Sequence, residues 1–125
     1  MEGYSVRVNS LKSRRGAVAD RTSSIRIRTS LHDGVTTVRC IISHPMETGF
    51  NKDPKTGFLI PPHFIKEVVC KHNDKIVLRC DWSRAISRNP YLSFKFSGAK
   101  AGDNITISWH DTEGASDSAT AVITQ

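Results

Sequence analysis

A chain of 125 residues, 38% hydrophobic and 24% charged, with an isoelectric point near 9.6 and a net charge of +6, is sized for one hydrophobic core, since single domains typically run to roughly 100–150 residues. Two large domains are excluded, as is a helical membrane protein, because no run approaches the ~20 apolar residues that a span needs. Three cysteines are too few for a small disulfide scaffold.

The charge is unevenly placed. Residues 1–30 hold Arg7, Lys12, Arg14, Arg15, Arg21, Arg26 and Arg28 against Glu2 and Asp20, a net of +5, whereas the remaining residues net only +1. Clustered bases can bind nucleic acid or anionic lipid through counterion release. The Ser, Arg and Gly content from Ser10 to Ser24 fits a solvated tail better, and no aromatic side chain lies between Arg14 and Arg28 to stack on a base, so neither a nucleic-acid nor a membrane partner is expected. Residues 1–23, rich in Ser, Arg and Gly from Ser10 onward, read as a basic, flexible N-terminal extension. The Arg14-Arg15 pair is followed by Gly16-Ala17-Val18-Ala19-Asp20 without an apolar run, so no export signal is read there. Residues 24–125 read as the folded domain.

From Ile25 the hydrophobic period is close to two. Ile25 and Ile27 alternate with Arg26 and Arg28 in the first predicted strand. Val35–Ser43, rich in Val, Thr and Ile, is the second. Segments 63–71 and 75–81 are the third and fourth, flanking a turn at His72-Asn73-Asp74. Tyr91–Ser97 is the fifth and Asn104–His110 the sixth. Asp111-Thr112-Glu113-Gly114 turns the chain into a seventh, Ser118–Thr124. Between the fourth and fifth, Asp81–Asn89 suggests a short helical turn that ends before Pro90, because a residue preceding proline avoids the helical region. About seven short antiparallel strands imply an all-β, immunoglobulin-like sandwich.

The strand map constrains the cysteines. A three-residue turn at 72–74 pairs Lys71 with Lys75 and Cys70 with Ile76, placing Phe64, Val68, Cys70, Ile76, Leu78 and Cys80 on the core face. Cys80 then lies four positions beyond Ile76, about 13 Å along the strand, so no Cys70–Cys80 disulfide is expected. Cys40 could meet either, or all three could be free and buried. The histidines, His32, His44, His63, His72 and His110, are scattered without metal-ligand spacing, so no metal and no cofactor is expected. The enzyme alternative is a metal-binding redox sandwich of the superoxide-reductase kind, which needs four imidazoles converging on one end.

Two loops stand out. Ser43–Pro62 runs about twenty residues without a period, a length that usually marks function or disorder. Its Phe50, Phe58, Leu59 and Ile60 argue against disorder, because exposing them would create an apolar patch. Ile86–Tyr91 is the second loop. His44, Pro45, Met46 and Glu47 in the first, with Asn89, Pro90 and Tyr91 in the second, are the candidate partner-binding residues.

Three strings carry a resemblance: Ile42-Ser43-His44-Pro45-Met46-Glu47-Thr48-Gly49, then Asn51-Lys52-Asp53, then Ile60-Pro61-Pro62-His63-Phe64-Ile65. With Ala85-Ile86-Ser87-Arg88-Asn89-Pro90-Tyr91-Leu92-Ser93-Phe94, they resemble the SoxZ family of the sulfur-oxidation carrier complex. Trp109-His110-Asp111-Thr112-Glu113-Gly114 is similar to that family's terminal hairpin. The resemblance spans roughly residues 24–125 and leaves the basic first 23 outside. It implies an immunoglobulin-like, non-catalytic subunit that pairs with SoxY. SoxY carries the intermediates of thiosulfate oxidation on a Gly-Gly-Cys-Gly-Gly arm and meets other Sox enzymes transiently. No such arm and no cysteine follows Cys80, which fits the partner subunit. A periplasmic location, reached by export together with a signal-bearing SoxY, is implied in the same way.

Overall fold

The structure, a computed structural model, describes residues 6–10 and 23–125. Eight strands follow one another among the described residues: β1 (Val6–Ser10), β2 (Ile25–His32), β3 (Val35–Ile42), β4 (Ile65–His72), β5 (Lys75–Asp81), β6 (Pro90–Ser97), β7 (Asn104–Asp111) and β8 (Ser116–Val122). They form two antiparallel four-stranded sheets, in the orders β1-β6-β3-β2 and β5-β4-β7-β8. This is the expected all-β, immunoglobulin-like sandwich. No helix among the described residues is long and apolar enough to cross a membrane.

The period of two is what builds the core. In β3, Thr36, Val38, Cys40 and Ile42 are buried, and in β6, Leu92, Phe94 and Phe96 are; β7 adds Ile105, Ile107 and Trp109. Successive side chains of a strand point to opposite faces, so these inward sets interdigitate between the sheets while Arg39 and Lys95 stay wet. Along one side β2 and β8 are zipped together: the Leu31 amide donates to the Thr124 carbonyl at 2.9 Å and the Thr29 hydroxyl to the Val122 carbonyl at 3.1 Å. The opposite side leaves β1 and β5 as sheet edges. At one end of the sandwich lie the connections 43–64, 82–89 and 112–115. The tight turns 33–34 and 73–74 and the segment 98–103 lie at the other.

Three local readings change. The β4–β5 turn is shorter than expected: His72 pairs with Lys75 and Lys71 with Ile76, after which a register shift pairs Cys70 with Leu78. Val77 is therefore the extra residue of a bulge. Both Val77 and Leu78 are buried, while Ile76, expected in the core, is 45% exposed. Cys80 now sits opposite Val68, two positions from the partner of Cys70 rather than four, and all three cysteines are free. Segment 81–89 makes no helix; its one turn is closed by the Ile86 amide on the Ser83 carbonyl at 3.2 Å. Finally, Val6–Ser10, inside the segment read as an extension, forms β1 on β6, where no strand was expected. Lys12, Arg14, Arg15 and Arg21, with the flexibility expected around them, lie outside the described residues.

Candidate functional site: the loop end of the sandwich

The end carrying the long connections is organised around one carboxylate. Asp111 closes β7, and its Oδ1 accepts the amides of Glu113 and Ala115, both at 2.9 Å, which shapes the turn into β8. Its Oδ2 accepts from His44 Nε2 at 2.9 Å and from His63 Nε2 at 2.7 Å. Those two histidines stand at the start and finish of the β3–β4 connection, so one buried side chain pins both ends of the loop. His44 also packs edge-on against Trp109, ring centroids 5.1 Å apart, and against His63 at 4.6 Å.

The tautomer of His44 follows from its second nitrogen. The Met46 amide donates to His44 Nδ1 at 3.1 Å, so Nδ1 is unprotonated and Nε2 carries the proton given to Asp111. Burial pushes the His44 pKa down and outweighs the opposing Asp111 hydrogen bond. Burial would raise the Asp111 pKa, but the hydrogen bonds from His44, His63, Ala115 and Glu113 prevail and hold it at about 2. A neutral His44 against an ionised Asp111 results.

His44, His63 and Asp111 each bring a metal-competent atom within 4.8 Å of the others. Ligation through His44 Nε2 would require the ring proton on Nδ1, where it would face the Met46 N–H. The trio fits a hydrogen-bonded brace and not a metal centre. The redox alternative needed four imidazoles together, and only two meet here. His72 is bonded to Asp103 at 2.7 Å at the far end, His110 lies beside Glu67, and His32 beside Asp33.

The two loops singled out in the sequence are joined. Asn89, with φ +49°, accepts the His44 amide on its Oδ1 at 2.9 Å and donates its own amide to the His44 carbonyl at 2.9 Å. Asparagine tolerates this left-handed conformation better than most residues, which explains why it stands before Pro90. Met46 is likewise left-handed, at φ +50°, with its side chain buried and its sulfur accepting the Ile65 amide at 3.3 Å.

Between its pinned ends the first loop is an open β-finger. Glu47 and His63 exchange backbone hydrogen bonds of 2.7 and 3.0 Å, Lys52 bridges to Leu59, and the Ile60 amide donates to the Asn51 carbonyl at 2.7 Å. The tip turns at 53–57, where Gly57 donates to the Asp53 carbonyl and Lys55 to Asp53 Oδ1, both at 2.8 Å. Phe50, Phe58 and Leu59 are 72%, 77% and 57% exposed on this finger, with the Arg84 guanidinium 5.2 Å from the Phe50 ring centroid. The expectation that such residues would avoid exposure is not met: the finger is ordered by backbone pairing and holds them out.

Of the candidate residues, His44, Met46 and Pro90 are buried and hold the loops in place, Pro45 is exposed, and Glu47, Asn89 and Tyr91 are half-buried. Arg88 reaches Glu47 at 3.9 Å. Asp111 and His63, which complete the brace, were not among the sequence candidates. An aspartate opening a tight Asp-Thr-Glu-Gly turn is the one signal that pointed to it.

The profile of the family described as sulphur oxidation protein SoxZ matches residues 25–122. The chain belongs to the SoxZ family. The matched span runs from β2 through β8 and includes the finger, the Asn89 loop and Asp111, whereas β1 lies outside it. Comparison with curated protein sequences gave no match. Membership of the SoxZ family ties the chain to sulfur oxidation by the Sox system. Its own thiols are poor nucleophiles. Burial pushes Cys40 up to about 12 and raises Cys70 and Cys80 as well, so the thiolate that sulfur chemistry requires is scarce on all three.

Proposed function

We propose that this chain is the non-catalytic subunit that pairs with SoxY in the carrier of the thiosulfate-oxidising Sox system. In this reading SoxY holds the covalent sulfur intermediate and this chain supplies a rigid docking surface for SoxY and, transiently, for other Sox enzymes. The observation that carries the reading is the β-finger. Large exposed apolar side chains on a backbone pinned by a satisfied buried carboxylate are what a preorganised interface needs, because little conformational entropy is left to lose on docking. The raised thiol pKa values support a supporting subunit over a carrier. Export to the periplasm with a signal-bearing SoxY belongs to the same proposal.

Co-expression with a SoxY chain tests it. A stable heterodimer is expected, and a chain that stays monomeric beside SoxY overturns the reading. In the same assay, Phe50→Ser, Phe58→Ser and Leu59→Ser combined weaken association at least about tenfold, as loss of interface anchors does. The melting temperature of the free chain should change little, since these side chains bury little within it.

A further inference from the structure

Strand β6 is covered on one side by β3, in register from Val35↔Ser97 to Ile41↔Tyr91, and on the other by β1, from Val6↔Phe94 to Ser10↔Pro90. The family match spans 25–122 and so includes β6 and not β1. Within the matched span taken alone the sheet is β6-β3-β2, and β6 is its edge. Of the usual protections against strand addition, which include shortness, bulges, charge and proline, that edge has only Pro90 at its start and one lysine. It is eight residues long, pairs with β3 without a register shift, and has Lys95 as its one charged residue. The neighbouring edge of the other sheet, β5, has its bulge at Val77 and carries Lys75, Arg79 and Asp81.

What covers β6 in this chain is short. β1 spans five residues against the eight of β6, and its register leaves Lys95, Phe96 and Ser97 beyond it. β1 and β2 stand at opposite edges of the sheet, separated by three strand spacings or about 14 Å, and do not pair with each other. Removing β1 from β6 therefore need not disturb β2. The β1 sequence, Val6-Arg7-Val8-Asn9-Ser10, shows what the edge accepts: an extended segment with apolar residues at alternate positions. The site is also continuous with the finger end, because β6 begins immediately after Asn89, which is bonded to His44.

We propose that the β6 edge is a strand-acceptor site, covered by β1 in the free chain and by an extended, alternately apolar segment of SoxY in the complex. The inference rests on the pairing with SoxY proposed above. Backbone hydrogen bonds supply the affinity of such strand addition and the alternate side chains supply its specificity.

The test uses the full chain with two variants. Arg7→Cys with Ser93→Cys joins register partners, whose separation in antiparallel strands suits a disulfide, and locks β1 on β6. Val8→Pro weakens the β1 pairing. SoxY binding is measured by calorimetry, and hydrogen exchange of the β6 amides by mass spectrometry. The oxidised lock should bind SoxY at least about tenfold more weakly than its reduced form. Val8→Pro should bind no more weakly than the unaltered chain, with β6 amides that exchange freely alone and become protected by SoxY. Equal binding by the oxidised and reduced lock, or β6 amides left unprotected by SoxY in Val8→Pro, overturns the strand-acceptor site while leaving the pairing intact. Failure of the lock to form overturns it too, by removing β1 from β6. No binding by any form, the unaltered chain included, removes the pairing with SoxY and this inference with it.

Discussion

Asp111 shows how one residue can hold a loop in place. Its four hydrogen bonds come from two backbone amides of its own turn and two histidines separated by nineteen positions. The brace sets the acid response of the fold. Both Asp111 and His44 have folded pKa values below their ordinary 3.8 and 6.5, so each binds fewer protons folded than unfolded. Their stabilisation is complete above about pH 6.5 and is lost as the pH falls, first through His44 and then, between about 4 and 2, through Asp111. The Asp111 shift is worth about 2 kcal/mol. We expect the melting temperature to fall between pH 7 and 5. His44→Gln, whose amide can still donate to Asp111, should flatten that part of the profile; a profile unchanged by this substitution would contradict the assignment. At the start of β8, Asp117 Oδ2 accepts the Ser24 amide and hydroxyl at 2.8 and 2.7 Å, and Trp109 Nε1 donates to the same hydroxyl at 3.0 Å. This fastens the start of β2.

At the scale of elements, the finger depends on a glycine. Gly49 has φ +92°, and a Cβ there would meet Pro62 Cβ and Cδ at 3.3 Å. A side chain there would press on Pro62, which would have to give by a few tenths of an ångström, and the backbone is in a conformation that L-residues rarely adopt. Gly49→Ala should cost about 1–2 kcal/mol from the backbone alone, read as a lower melting temperature, and should speed hydrogen exchange of the Glu47 and His63 amides. Unchanged exchange would mean that the Glu47↔His63 pairing does not depend on Gly49. The finger itself was hard to read from the sequence. Its cross-strand pairs are isolated bridges, Glu47↔His63 and Lys52↔Leu59, too far apart to impose a period on the intervening residues. The bulge at Val77 was hidden for a similar reason: Ile76, Val77 and Leu78 are all apolar, and only packing against β4 selects which of them turns outward.

For the whole molecule, the three thiols and the apolar side chains of the finger divide between interior and surface. Cys40 and Cys70 are buried, Cys80 is half-buried, and all three are free. Alkylation of the native protein near pH 7.5 should leave Cys40 and Cys70 unlabelled and label Cys80 slowly, with three labels added on denaturation. During thiosulfate turnover, mass spectrometry should find no persulfide or thiosulfonate on this chain; an adduct on any of the three would overturn the supporting role proposed above. The surface reading is the converse. Phe50, Phe58 and Leu59 are held out on a braced finger, and a small domain of this kind gains stability by burying such surface against a partner.

The sequence by itself determined the sandwich, because alternation of apolar and polar residues fixes which face of each strand is buried, and six of the seven predicted strands recur within two residues of their expected limits. The first was read only as far as Arg28 and runs on to His32. It also singled out both loops, through length, proline placement and the family strings. Only the tertiary structure decided that His44 and Pro90 face inward while Phe58 faces outward, since burial in a loop is set by what the rest of the fold brings alongside and not by a period. The meeting of His44, His63 and Asp111 is of the same kind: residues 44, 63 and 111 have no spacing in common, and they become neighbours only when β7 pairs with β4.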